Sequence, residues 1–268
     1  MLAKDAERLL PPDKPLHGAP FPHDRLHPSL YLAEFAGTAL LIFIGVSAVI
    51  LMFGQGSPVP DWLPGEGTRR FITGALFGLT GALIAVSPLG RISGAHINPA
   101  VTLAFWLEGK LSWRDGLFFV LAQLTGAALG ATMLLAWERI GASIAYGSTE
   151  PGAGIPVAIA LVGEVCVTFL LILTIFVTAA HLRTRRFTPW TMPILFSVMA
   201  WLEGTISGTS ANPARSFGPA LIAGIDKDQW IYFLGPAIGS YLAIGFIRLQ
   251  VVVVPRITVA RLFHFHLG

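Results

Sequence analysis

The chain has 268 residues, of which 54% are hydrophobic and 12% are charged, and its net charge is +3. Soluble domains carry about 25% charged residues, so too few polar side chains are present to cover a soluble surface of this size. An ordinary cytosolic enzyme, a disordered chain and a nucleic-acid binder are thereby excluded, and with a mean hydropathy of +0.68 the class that remains is a membrane protein with several spans.

Residues 1–28 are polar and rich in proline, and they read as a mobile cytoplasmic tail rather than a signal peptide. A helix needs about 20 apolar residues to cross about 30 Å of hydrocarbon. Six segments satisfy this, near 30–53, 70–88, 113–137, 156–180, 188–206 and 229–250. Two further apolar stretches, about 98–108 and 212–223, are too short to span, and each opens with Asn-Pro-Ala. Residues 251–268 read as a C-terminal tail. Thirteen Lys and Arg fall in the tails and in the loops after the second and fourth spans, against four in the other loops. The positive-inside rule therefore places both termini in the cytoplasm of a multi-pass protein of the plasma (inner) membrane. The single cysteine, Cys166, excludes an internal disulfide.

The single channel domain expected over 29–250 is repeated internally. Ala33-Glu34-Phe35-Ala36-Gly37-Thr38 has its counterpart in Gly163-Glu164-Val165-Cys166-Val167-Thr168. Ser93-Gly94-Ala95-His96-Ile97-Asn98-Pro99-Ala100 matches Ser207-Gly208-Thr209-Ser210-Ala211-Asn212-Pro213-Ala214. The repeats cover about 30–137 and 156–250, each with three spans and one short helix. Three is odd, so the second half enters the membrane inverted. The expected fold is an all-α membrane protein of six transmembrane helices plus two half-helices in an inverted 3+3 repeat. Broken helices meeting in such a repeat mark a binding or permeation site.

Asparagine is a strong N-cap, and proline suits the first helical position. Asn98 and Asn212 are thus expected to start half-helices that run away from a shared centre, with two positive dipole ends facing each other. Their amides can point donors into a channel, and the glycine-containing approaches at Ser93-Gly94 and Ser207-Gly208 expose a row of backbone carbonyls. Such a pore suits small neutral molecules. Arg215 adds a fixed positive charge near one mouth.

On two Asn-Pro-Ala boxes in inverted halves, together with Ala33-Glu34-Phe35-Ala36-Gly37-Thr38 and its repeat, the chain resembles the major intrinsic proteins (aquaporins and glycerol facilitators) over roughly residues 30–250. The resemblance implies a homotetramer with one pore per subunit, no cofactor and no metal. It also implies that water reorients between the two amides and that the half-helix dipoles repel hydronium, the barrier known for aquaporin-type pores. Its narrow filter maps onto Arg215, onto Thr209 three residues before Asn212, and onto Ala200 twelve residues before it. The fourth position is Gly78 by ungapped counting and Phe77 by the pattern Phe77-Gly78-Leu79; the aromatic residue is preferred. Water-selective members usually carry histidine where Ala200 stands, which points to a wider filter. Ser216 replaces the Asp of glycerol facilitators, and Tyr232-Phe233 resembles the water-channel branch. Water is the expected main permeant, with glycerol, urea, ammonia and hydrogen peroxide as further candidates.

Acids inside spans are functional suspects. Glu34 and Glu164 either couple protons in a secondary transporter, the rival reading, or brace the loops that lead into the half-helices, which the resemblance favours. His96 is either a pH gate or a loop-bracing ring. Glu203 either attracts cations at the mouth or ends its helix and pairs with a nearby donor. No nucleophile–base pair or metal-ligand spacing appears in the spans, so the chain is not read as an enzyme. The expected partners are water, small neutral solutes and the lipid bilayer, with no nucleic acid.

Overall fold

The computed structural model describes residues 26–252, 254 and 260–262. The tail expected at 1–28 lies, up to residue 25, outside the described residues, as do 253, 255–259 and 263–268 of the C-terminal tail.

Proline and glycine punctuate the helices. Helix α1 (Pro28–Phe53) starts on a proline and ends at Gly54. Helix α2 (Glu66–Val86) follows Pro64-Gly65 and stops before Pro88. The short α3 (Pro99–Leu107) is capped by Asn98. In α4 (Trp113–Met133) the Ser112 hydroxyl accepts from the Asp115 amide at 3.0 Å, a capping arrangement worth about 1 kcal/mol. Helix α5 (Val157–Ala180) follows Pro156, and α6 (Thr188–Glu203) has Pro189 in its first turn. The second short helix, α7 (Pro213–Ala223), is capped by Asn212 and closed by the left-handed Gly224. Helix α8 is Ile231–Arg248.

Among the described residues, five segments are long and apolar enough to cross a membrane: α1, α2, α4 with its continuation to Ala142, α5 and α8. The segment expected over 188–206 is helix α6, which starts where expected and ends three residues early. Helix α6 has 16 residues, about 24 Å at 1.5 Å per residue. A 3-10 turn at Arg185–Phe187 precedes it and turns at 204–207 follow. The helix stops early because the chain from Gly204 onward must enter the loop that leads to Asn212.

Side-chain bonds define two faces. On one, His27 Nδ1 and the Tyr31 hydroxyl meet Asp115 Oδ1 at 2.9 and 2.6 Å, and Arg248 Nε donates to Glu108 Oε1 at 3.0 Å. The start of α1, the end of α8 and the α3–α4 turn therefore share this terminal face. On the far face, the Gln55 amide donates to Ser143 Oγ, and Gln229 Nε2 donates to the Thr149 carbonyl. Helix α1 starts on the terminal face and α5 on the far one, so the two halves are inverted. The packing follows the repeat: α1 pairs with α4 as α5 pairs with α8, α4 meets α7 as α8 meets α3, and α2 packs on α6 across the pseudo-twofold.

These contacts are close. A β-carbon at Gly126 or Gly130 of α4 would lie 2.3 Å from the carbonyl oxygen of Phe35 or Ala39 in α1. In α2, Gly74 and Gly78 meet the α6 backbone at Phe196 and Met192 in the same way. Small residues one turn apart let helices approach where lipid supplies no hydrophobic drive. The distribution of polarity is the reverse of a soluble protein. Glu34, Gln123, Thr102, Glu164 and Ser216 are buried, while Leu32, Leu83, Leu121, Val162, Ile194 and Leu242 face outward.

Candidate pore

The loops that enter the short helices carry the same unusual backbone. Gly94, Ala95 and Ile97 have positive φ (95°, 54° and 42°), and so do Gly208, Thr209 and Ala211 (85°, 52° and 49°). Non-glycine residues adopt this region at a cost and persist there only when their surroundings over-determine it. The surroundings here are the two buried glutamates. Glu34 accepts from the amides of His96 (3.0 Å) and Ile97 (2.6 Å) and from Gln123 Nε2 (2.7 Å). Glu164 accepts from the amides of Ser210 (2.8 Å) and Ala211 (2.9 Å) and from the Ser207 hydroxyl (2.6 Å). Each carboxylate thus collects two consecutive N–H groups that a left-handed turn directs inward.

The caps then meet. Asn98 Oδ1 accepts from the Ala100 amide at 2.8 Å, and Asn212 Oδ1 from that of Ala214 at 3.0 Å. With each oxygen facing its own helix, each amide nitrogen faces the opposite loop. Asn98 Nδ2 donates to the Ala211 carbonyl at 2.8 Å, and Asn212 Nδ2 to the Ile97 carbonyl at 3.1 Å. The sequence suggested that both amides point their donors into a channel. Instead one N–H of each is spent on this reciprocal brace, and an amide has two.

Two cavities flank the crossing. The outer one, toward the far face, has a volume of about 280 Å³; Phe77, Ala200, Thr209 and Arg215 line it together. Arg215 is 6% exposed, donates from Nη1 to the Gly147 carbonyl at 2.8 Å, and has its guanidinium carbon 6.0 Å from the Phe77 ring centre. Gly78 lies on the other cavity and meets the Met192 backbone. That inner cavity, toward the terminal face, has a volume of about 50 Å³ and touches Asn98, Asn212, Val101, Ile175, Met192 and Leu262. Among the described residues, only Phe77 and Phe196 line both. Their ring centres are 5.7 Å apart, in packing contact, and the pair walls the neck between the cavities. Phe196 escaped the sequence reading; its signal was its place four residues before Ala200, on the same face of α6.

A family model described as "Major intrinsic protein" matches residues 27–247. Aquaporin AqpM of Methanothermobacter marburgensis is 38% identical over 230 residues, covering 79% of this chain and 93% of that protein. A probable aquaporin TIP2-1 of Oryza sativa is 36% identical over 220 residues, 80% of this chain and 84% of that protein. The X-ray structure of the aquaglyceroporin from Plasmodium falciparum superposes with a TM-score of 0.69 at 21% identity, over 84% of this chain and 97% of that one, a likeness of fold.

The chain belongs to the major intrinsic proteins. It is a multi-pass membrane protein and a passive channel for water and small solutes, and nothing in these relatives supports a proton-coupled transporter.

The remaining candidates of this major intrinsic protein fall around the pore. His96 is buried, with its ring stacked on Phe105 (4.6 Å between centres) and its Nδ1 3.3 Å from Thr102 Oγ1. Glu203 is buried too; its Oε2 accepts from the Thr209 hydroxyl at 2.5 Å. Cys166 is exposed on α5. His264 and His266 lie outside the described residues. Among the described residues, no three His, Cys, Asp or Glu side chains gather as a metal site.

Proposed function

We propose that this channel carries water as its main permeant, from a single channel domain over 29–250, in a homotetramer of the plasma (inner) membrane with both termini cytoplasmic. The reciprocal bonds between the Asn98 and Asn212 amides and the opposing loops carry the reading. They fix two helix N-termini against each other and leave one N–H on each amide for a permeating oxygen. A water accepting from both must turn its own hydrogens away from the centre, so a proton relay through the file is interrupted, and the helix dipoles repel cations. Asn98-Pro99-Ala100 and Asn212-Pro213-Ala214 form this centre. Glu34 and Glu164 hold the loops, and His96 braces the first of them.

The filter is assigned to Phe77, Ala200, Thr209 and Arg215. Relatives named aquaporins support water. The small Ala200 leaves the outer mouth wide enough for glycerol, urea, ammonia or hydrogen peroxide to enter it. Protein in lipid vesicles, followed by stopped-flow light scattering with sucrose, glycerol and urea gradients, tests the reading. A water permeability above the lipid baseline, with a low activation energy and no dependence on a proton gradient, is expected; permeability at the baseline overturns it.

Replacing Arg215 by alanine removes the one fixed charge that lines the filter and frees the Gly147 carbonyl to face the lumen. Cation or proton leakage is expected to rise roughly tenfold, since one unit charge in a partly dry neck contributes more than about 1.4 kcal/mol. A fluorescent pH indicator trapped in the vesicles reads it, and unchanged leakage removes Arg215 from the filter.

A further inference from the structure

The inner mouth carries a segment that no pore requires. Helix α8 ends at Arg248, yet residues 260–262 lie against the first Asn-Pro-Ala loop. The Leu262 amide donates to the Gly94 carbonyl at 3.1 Å. The Ala260 carbonyl lies 3.3 Å from His96 Nε2, and the Arg261 guanidinium donates to the Arg91 carbonyl. The Ala260 oxygen approaches so near that a β-carbon at Gly94 would be 2.4 Å from it. Leu262 is 7% exposed and forms part of the same cavity wall as Asn98, Asn212 and Val101.

We infer that the inner mouth is a docking site for a short peptide segment, and that its occupant is the chain's own residues 260–262, with the Leu262 side chain closing the pore. This rests on the channel reading above. Three observations carry it together. First, the two halves are related by an internal repeat, yet the inner cavity has about 50 Å³ and the outer about 280 Å³. Second, the Gly94 carbonyl is the first of the row that should accept hydrogens from a water entering from the terminal face, and a backbone N–H of the tail already donates to it. Third, the added groups are apolar: a leucine side chain at the entrance leaves a water no donor or acceptor there.

The contact is built to be reversible. It consists of three residues, one buried side chain and a few hydrogen bonds, on a connection of eleven residues after Arg248. At about 3.3 Å per extended residue that connection spans up to about 40 Å, so the segment can leave the mouth without disturbing α8.

The test compares the full chain, a chain ending at residue 259, and Leu262→Ala, each reconstituted in phosphatidylcholine–phosphatidylglycerol vesicles. If the docked state outweighs the free one about tenfold, water permeability per molecule rises roughly tenfold on truncation; Leu262→Ala gives a smaller rise in the same direction. Equal permeability, within twofold, in all three overturns the proposal. A second measurement reads the mouth directly. In a Cys166→Ser background, Ala85→Cys places a thiol on the inner cavity. A membrane-impermeant maleimide added from the terminal side should label it several-fold faster in the truncated chain, and equal rates overturn the docking. Labelling does not depend on flux, so a protein that shows tail-dependent labelling but conducts no water defeats the channel reading and leaves the docked tail standing.

Discussion

Replacing Glu164 by alanine is expected to destroy the channel although it substitutes no lumen-lining side chain. The carboxylate is 0% exposed and accepts from two consecutive backbone amides and from Ser207. Alanine leaves three buried donors without an acceptor. At about 1–3 kcal/mol for each unsatisfied buried group, the loss is on the order of 5 kcal/mol, comparable with the whole stability of a typical folded domain. The strain at Ala211, whose φ is 49°, then loses the acceptor that holds it, and the Asn212 cap swings away from Ile97. The expected result is a melting temperature in detergent lower by ten degrees or more, on the order of what several kcal/mol shift a chain of this size, and water permeability at the lipid baseline.

Glu164→Gln should fall between the two, because its amide offers one acceptor and sets an N–H against the remaining donor. Glu34→Ala should repeat the pattern on the first loop. The two loops are bonded to each other through Asn98 and Asn212, so the double variant should lose less than the sum of the single losses. Wild-type melting and flux in Glu164→Ala would show that the loop stands without its brace.

This architecture was legible in the sequence to the extent that it depends on local rules. Asn98-Pro99 and Asn212-Pro213 announce helix starts by capping chemistry, and the helices begin at Pro99 and Pro213. Apolar run length placed most spans within a few residues. At α6 it ran three residues past the helix end, because the uncharged Gly204-Thr205-Ile206 does not mark the turn that the backbone makes after Glu203. Buried acids at matching places in the repeat pointed to the braces, although only coordinates show that each glutamate takes two successive loop amides, the second from a left-handed residue. Relations across the bundle were not legible. Nothing in the composition of 251–268 sets the Leu262 amide on the Gly94 carbonyl, more than 160 residues away. Nor does spacing show that the Asn amides cross, since an amide donor is equally satisfied by a passing water.

Phe196 illustrates the same limit, and its removal should change selectivity most. A sequence read by filter positions stops at Ala200 and infers a wide pore. The outer mouth is wide, but the lumen narrows again one helical turn further in, where Phe196 and Phe77 line both cavities with their ring centres 5.7 Å apart. The two rings pack on each other, and a water passes beside this aromatic wall more readily than a three-carbon polyol does. Fitting or excluding one to several carbons is worth about 1–3 kcal/mol of discrimination. Phe196→Ala joins the two cavities and should therefore raise glycerol permeability roughly tenfold or more, with a much smaller change for water. Because Phe196 is partly buried against the core, the truncation also costs stability, up to about 3 kcal/mol, and Phe196→Leu serves as the better-folded comparison with an intermediate gain. The opposite change, Ala200→Phe, should lower glycerol and urea flux by narrowing the mouth above an intact neck. If glycerol and water permeabilities keep their ratio in Phe196→Ala protein that still melts cooperatively, the neck does not select, and the discrimination belongs to the ring formed by Phe77, Thr209 and Arg215 alone.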